Sequence, residues 1–331
     1  MGAPKIVAVA TSTPSHRFGQ STLLRLAGYD DTLRSGFFRH SEIDGRHLFL
    51  DPETFTPTES VDELSARFRR GAIELGAEAA RRAVQGAGWA LDDVDFLATT
   101  TCTGRLCPSL DAHIIAALGL KPSIQRVHVG DTGCASAMVA LQQAANHIQA
   151  FPRHRAIVVA VEICSAAYFL DDRLESAVAR AVSGRGEGPA IVSQQTLFRS
   201  EHLPAMGFEF PGGRPRVVLS KEVRRIGAGM MKEMADGLMA SQGLKKEDVR
   251  HFVLHSAGRR VIEQARRLLD LDDAQVAHSR RVLQHFGNMS SATVLFVLEE
   301  TLRSGHPVPG DWGLMIALGP GFAAEGALLR W

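Results

Sequence analysis

Apolar residues recur at helical spacing from Asp62 to Gly88, with many alanines among them, and this pattern predicts one long helix. The period then changes. Residues 93–101 alternate as a strand, Ser123 to Val129 form a short β-like run, and Arg155 to Ile163, centred on Ala156-Ile157-Val158-Val159-Ala160-Val161, read as a buried strand. Between them, Ser109 to Leu118 and Ala135 to Gln149 carry helical patterns. A first strand is predicted at Ile6 to Ala10. Strand alternating with helix implies a mostly parallel sheet covered on both faces.

The alternation breaks at Ser183-Gly184-Arg185-Gly186-Glu187-Gly188-Pro189. This glycine-rich stretch lacks the G-x-x-x-x-G-K-[ST] or G-x-G-x-x-G order of a phosphate cradle and reads as a connector. It divides the chain into halves, 1–186 and 187–331. The second half rebuilds the pattern, with strands at Ala190 to Phe198 and around Phe208 and Phe210, then a long helix from Lys221 to Gln242. The methionines of that helix, 230, 231, 234 and 239, read as core filling. A strand His251-Phe252-Val253-Leu254 runs into His255, helices follow to Leu269 and to Gln284, and residues 313–331 read as a closing hairpin about Gly319-Pro320-Gly321.

Composition narrows the class without choosing a function. With 331 residues, 45% of them hydrophobic, the chain can bury a large core. Its 37 basic and 36 acidic residues nearly cancel, so no overall field argues for nucleic acid or an anionic membrane. No stretch is apolar for long enough to span a bilayer, and the N-terminus does not resemble a signal peptide, which points to a cytoplasmic protein. Four cysteines at 102, 107, 134 and 164 fit reduced thiols better than a disulfide scaffold, and Cys102 and Cys107 have no second pair to complete a zinc site.

The stretch of greatest chemical interest is Val127 to Met138. A glycine-flanked turn sets Cys134 at a helix N-terminus, where unpaired N–H groups and the macrodipole favour a thiolate. The plain alternative is a small buried cysteine packing the helix start. Near His285 the segment Gly287-Asn288-Met289-Ser290-Ser291 repeats the cysteine turn, glycine followed by small polar residues at a helix start. Taken singly, His255 reads as a structural histidine and Asn288 as a helix cap. Between residues 30 and 46, Arg34, Arg39, His40 and Arg46 form either a solvated helix face or a docking surface for a phosphorylated carrier.

Together, Gly133-Cys134-Ala135, His255-Ser256-Ala257-Gly258, Gly287 to Ser291 and Leu318-Gly319-Pro320-Gly321 resemble the type III polyketide synthases, the chalcone synthase-like branch of the thiolase-fold condensing enzymes. The 33 residues from His255 to Asn288 suit that family, and the run Cys164-Ser165-Ala166-Ala167-Tyr168 is similar to the bacterial dihydroxyphenylacetyl-CoA synthases. The resemblance implies an α/β thiolase-like fold of two pseudo-duplicated αβαβα halves in a five-layered core. It also implies a homodimer and a Cys134-His255-Asn288 site that condenses acyl and malonyl thioesters. Acyl-CoA and malonyl-CoA are then substrates, and no metal or redox cofactor is required. By position it makes Cys102, Thr103, Cys164, Ala167, Ser290 and the Gly319-Pro320-Gly321 loop cavity-lining, with Cys107 crossing the dimer interface. A neighbouring imidazole and the helix terminus should both stabilise a Cys134 thiolate, which should alkylate ahead of the other thiols at neutral pH.

The departures are specific. Ser183 and Val217 stand where the family keeps two gatekeeping phenylalanines, and the 121 residues from Cys134 to His255 fall short of the family interval near 184–196, as if a strand pair beside the site were lost. The basic residues expected to hold pantetheine phosphates are only partly matched, by Arg34, Arg39 and Arg46, so an acyl carrier protein is the alternative donor. A single-step ketoacyl synthase III-like or chain-fusing ketosynthase is the second reading. A non-catalytic thiolase-fold partner protein is the third.

Overall fold

The capping chemistry of the longest helix shows how local sequence starts the fold. The Ser60 hydroxyl accepts from the Glu63 N–H at 3.2 Å while Glu63 Oε2 accepts from the Ser60 N–H at 2.7 Å, a reciprocal cap. A computed structural model describes residues 2–26, 36, 41–55, 59–167, 188–209 and 216–331. In chain order these form β1 (Arg17–Gly19), α1 (Gln20–Leu26), β2 (Gly45–His47), α2 (Val61–Gly86), β3 (Phe96–Thr101), α3 (Leu110–Leu118), β4 (Gln125–Gly130), α4 (Ser136–Ala150) and β5 (Ala156–Ala160). The second half supplies β6 (Ala190–Phe198), β7 (Met206–Glu209), β8 (Arg216–Leu219), α5 (Val223–Ala240), β9 (Val249–Leu254), α6 (Arg259–Leu268), α7 (Ala277–Phe286), α8 (Thr293–Arg303), β10 (Trp312–Gly319) and β11 (Ala323–Arg330).

Strands β4, β3 and β5 pair in parallel in that order. The second sheet runs β6-β11-β10-β9, and only its β10–β9 pair is parallel. The terminal hairpin makes this half mixed rather than mostly parallel. Helices α2 and α3 pack outside the first sheet, α4 and α8 lie between the sheets, and α5 with α6 covers the second, giving five layers. The central position of α8 follows from the composition of its first half: Val294, Leu295, Phe296, Val297 and Leu298 are all buried, so that part is apolar all round. Met230, Met231, Met234 and Met239 fill the core beneath α5, as expected.

Ile6 to Ala10 does not form the expected strand. Lys5 makes a single antiparallel bridge to Ala190, and the Ile6 N–H donates to Pro189 O at 3.0 Å. Pairing with the second half takes up the backbone groups that a place in the first sheet would have used. Residues 190–198 run along β11 as β6, so that part of the shortened interval completes a sheet. The proposed boundary at 186/187 and the strand residue Phe210 lie outside the described residues.

Candidate active site

Two turns of similar build meet between the sheets. In the first, β4 ends at Gly130, Asp131 and Gly133 take left-handed φ values of 57° and 63°, a 3-10 turn spans Gly133–Ala135, and α4 begins at Ser136. In the second, Gly287 and Ser290 take φ of 75° and 51°, a 3-10 turn spans Ser290–Ala292, and α8 begins at Thr293. The hairpin loop after β10 presses on the cysteine turn. A Cβ at Gly133 would lie 2.1 Å from Pro320 Cδ, and one at Gly319 would lie 2.9 Å from Ala135 Cβ. Only glycine allows this approach.

Residues 134, 288 and 255 are linked by one thread of contacts, which reaches His255 through its backbone. Cys134 Sγ lies 3.3 Å from Ser290 Oγ, and the Ser290 N–H donates to Asn288 Oδ1 at 2.9 Å. Asn288 Nδ2 donates to Ala257 O at 3.3 Å, and the Ala257 N–H donates to His255 O at 2.9 Å. His255 is tied to the second sheet by its N–H, which donates to Ile316 O at 2.9 Å. Its imidazole is 1% exposed, and Nδ1 has no hydrogen-bond partner among the described residues. Asn288 caps its own turn, yet its amide has two N–H bonds and Ala257 uses one.

Burial decides the protonation states. It pushes the Cys134 thiol up to about 11, with the Glu162 carboxylate pushing the same way and the Ser290 hydroxyl opposing. Burial holds His255 down at about 4, so the imidazole is neutral. Burial thus acts against the expected resting thiolate, and these shifts favour a thiol beside a neutral imidazole. In a Cys107→Ser protein, which removes the exposed thiol, iodoacetamide labelling of Cys134 should keep accelerating above about pH 9, since the thiolate fraction rises with pH toward its raised pKa. Peptide mass mapping reads this, and a plateau near neutral pH would show a thiolate already formed.

Glu162 is the site residue that the sequence reading missed. It is 2% exposed and accepts from the Cys102 N–H at 3.1 Å, from Thr103 Oγ1 at 2.8 Å and from Ser291 Oγ. Burial raises its pKa in spite of these donors. The only signal was its place directly after a fully apolar strand, read there as a strand end. Cys102 joins the cluster, with Sγ 3.0 Å from Ser290 Oγ and 3.3 Å from Glu162 Oε1, and burial raises its thiol well above the usual range. Thr103 Oγ1 also accepts from the Ile163 N–H at 2.8 Å, tying the two strand ends together.

The remaining predicted residues divide. Cys164 is buried in the turn after β5, and the half-buried Ala167 donates its N–H to Cys164 O at 3.0 Å. At Gly321, φ is 125° and a Cβ would meet Phe198 at 2.7 Å. Cys107 is exposed and Val217 lies half-buried opposite Phe208 in the β7–β8 ribbon, both outside the hydrogen-bonded cluster. Arg46 is not on a docking surface. It is 4% exposed in β2, and a Cβ at Gly287 would lie 2.3 Å from its Nη1, so the guanidinium backs the asparagine turn. Arg34, Arg39 and Ser183 lie outside the described residues.

Residues 39–196 match the N-terminal domain of chalcone and stilbene synthases, and residues 239–331 match the C-terminal part of 3-oxoacyl-[acyl-carrier-protein] synthase III. Over 351 aligned residues the chain is 30% identical to 3,5-dihydroxyphenylacetyl-CoA synthase of Streptomyces toyocaensis, covering 99% of this chain and 90% of that one. The chain belongs to the chalcone and stilbene synthase family of type III polyketide synthases. This type III synthase is also 29% identical to 1,3,6,8-tetrahydroxynaphthalene synthase of Streptomyces peucetius subsp. caesius, covering 98% of itself and 93% of the relative. Its fold superposes on the crystal structure of PKS-I from the brown alga Ectocarpus siliculosus with a TM-score of 0.91 at 26% identity, covering 100% and 99% of the two chains. As a type III polyketide synthase it is an acyltransferase with a thiolase-like fold. Among its described residues no helix is long and apolar enough to cross a membrane.

Proposed function

We propose that Cys134 holds the growing acyl chain while His255 and Asn288 stabilise the enolate of a decarboxylating malonyl thioester. The observation that supports this is the contact thread from half-buried Cys134 through Ser290 and half-buried Asn288 to the backbone of buried His255. In the loading step, neutral His255 takes the Cys134 proton as the sulfur attacks the acyl thioester carbonyl. The donor leaves as a thiolate and recovers a proton as free thiol. Malonyl thioester then loses carbon dioxide, and the electron pair of the broken C–C bond forms an enolate. A neutral imidazole N–H and the free Asn288 N–H are suited to that oxygen. The enolate carbon attacks the Cys134 thioester, the C–S bond breaks, and the chain lengthened by two carbons leaves on the donor thiol.

Loss of carbon dioxide drives the condensation, so this chemistry calls for no metal or redox cofactor. Acyl-CoA and malonyl-CoA are the substrates, and a resorcinol, pyrone or related aromatic is the product class that this reading favours. A homodimer belongs to it as well, supported by the exposure of Cys107 on the single chain. Val217 in place of a bulky gate and the C-terminal match to a synthase III favour a second reading, a single condensation on a carrier-bound thioester. Mass spectrometry of products formed from malonyl-CoA and a panel of acyl-CoA starters tests both. Products with several added two-carbon units are expected, a β-ketoacyl thioester extended once would favour the second reading, and no condensation product would refute both.

A further inference from the structure

The ribbon of β1 and β2 grips the chain directly before Asn288. Its strands pair antiparallel, with Phe18 opposite Arg46, and β2 packs on α7, which ends at Phe286. The Asp44 N–H donates to Gln284 O at 2.8 Å, and Gln284 Nε2 donates back to Asp44 Oδ2 at 3.0 Å. The His47 ring stands 5.8 Å from that of Phe286. Between these two residues Arg46 turns inward, and its Nη1 lies 2.3 Å from where a Gly287 Cβ would be. The guanidinium thus fills the space of the side chain that Gly287 lacks.

Two features set this contact apart from ordinary packing. An arginine keeps its charge when buried, so a guanidinium at this depth is less favourable than an aliphatic chain of the same reach. Gly287 holds φ of 75° and ψ of −170°, and glycine has more backbone freedom to lose than any other residue. The residue that steers Asn288 is therefore the one whose own sterics fix it least. The bond from the Ser290 N–H to Asn288 Oδ1 lies within the same turn, and the bond to Ala257 O is long at 3.3 Å, so both leave the amide room to swing.

We propose that Arg46 is a positioning residue for Asn288: by standing in for the Gly287 side chain it fixes the turn so that the free amide N–H meets the enolate oxygen. The inference rests on the proposed role of Asn288 in stabilising that enolate. A displacement of about 1 Å at such a donor lowers the rate by on the order of 100-fold. The Asp44 and His47 contacts hold the ribbon in place without Arg46, so its loss should loosen the turn and leave the fold.

The variant Arg46→Met of the full chain tests this, followed by carbon dioxide release from malonyl-CoA, by Cys134 loading from hexanoyl-CoA on intact-protein mass spectrometry, and by thermal melting. The kcat for decarboxylation should fall about tenfold or more with KM within about twofold, while loading changes less than about threefold. A double-variant cycle decides between positioning and packing. With Asn288→Ala no amide is left to position, so adding Arg46→Met should slow decarboxylation further by less than about twofold. A full second loss in that background, an unchanged rate in Arg46→Met alone, or loading that falls as far as decarboxylation would each overturn the proposal. Should Arg46→Met fail to fold, Arg46→Lys is taken through the same cycle, since lysine keeps the charge but lacks the planar group that covers Gly287. Failure of the underlying reading looks different: Asn288→Ala would then decarboxylate malonyl-CoA as fast as the wild type, or the wild type would release no carbon dioxide, and the positioning role would fall with it.

Discussion

Replacing Cys134 with alanine should abolish acyl loading, with no thioester adduct on the intact protein after incubation with an acyl-CoA. The expected loss is at least about a thousandfold, because covalent catalysis has no route around a missing nucleophile. The fold should survive. Cys134 is a turn residue whose hydrogen-bond partner is Ser290 Oγ, and that hydroxyl keeps its contact with Cys102 Sγ at 3.0 Å. The experiment also separates the two sulfurs on this hydroxyl. An undiminished adduct carried on Cys102 in the variant would contradict the assignment of Cys134 as nucleophile.

For Asn288→Ala a different pattern is expected, with loading of Cys134 retained and malonyl decarboxylation slowed by about 100- to 1,000-fold, corresponding to about 3–4 kcal/mol of lost oxyanion stabilisation. Alanine also removes the acceptor for the Ser290 N–H, so Asn288→Asp is the informative companion. Aspartate keeps that acceptor, replaces the N–H donor with an oxygen that faces Ala257 O, and should show the same slow decarboxylation, with thermal melting reporting any loss of stability. Release of labelled carbon dioxide from malonyl-CoA, measured alongside acyl loading, checks both variants. Equal loss of the two activities in Asn288→Asp would contradict the division of labour between the cysteine and the asparagine.

Local pattern was a good guide wherever it was strong. The period of α2, the apolar runs of β3 and β5, the methionine-rich face of α5 and the terminal hairpin all form within a few residues of their expected bounds. Ile6 to Ala10 was misread because an apolar run marks burial, which Val9 and Ala10 reach without strand pairing, the one bridge among the described residues being at Lys5. Arg46 was misread for a related reason. Sequence marks a cation but not its depth, and only the packing of β2 against the Gly287 turn buries it. Glu162 escaped notice because an acidic residue after a strand is ordinary, and its importance lies in donors from residues 102, 103 and 291.

By itself the sequence singled out the side chains to which the proposed chemistry is assigned. A cysteine, a histidine and an asparagine at strand ends and helix starts, each beside a glycine or small residues, are features of local spacing. What only the tertiary structure supplies is the burial that shifts the thiol up and the imidazole down. Whether Cys134 rests as a thiol or a thiolate depends on how much water the two sheets exclude and on the buried carboxylate 28 positions along the chain. Solvation is set by everything that surrounds a group in space, and no stretch of neighbouring residues encodes it.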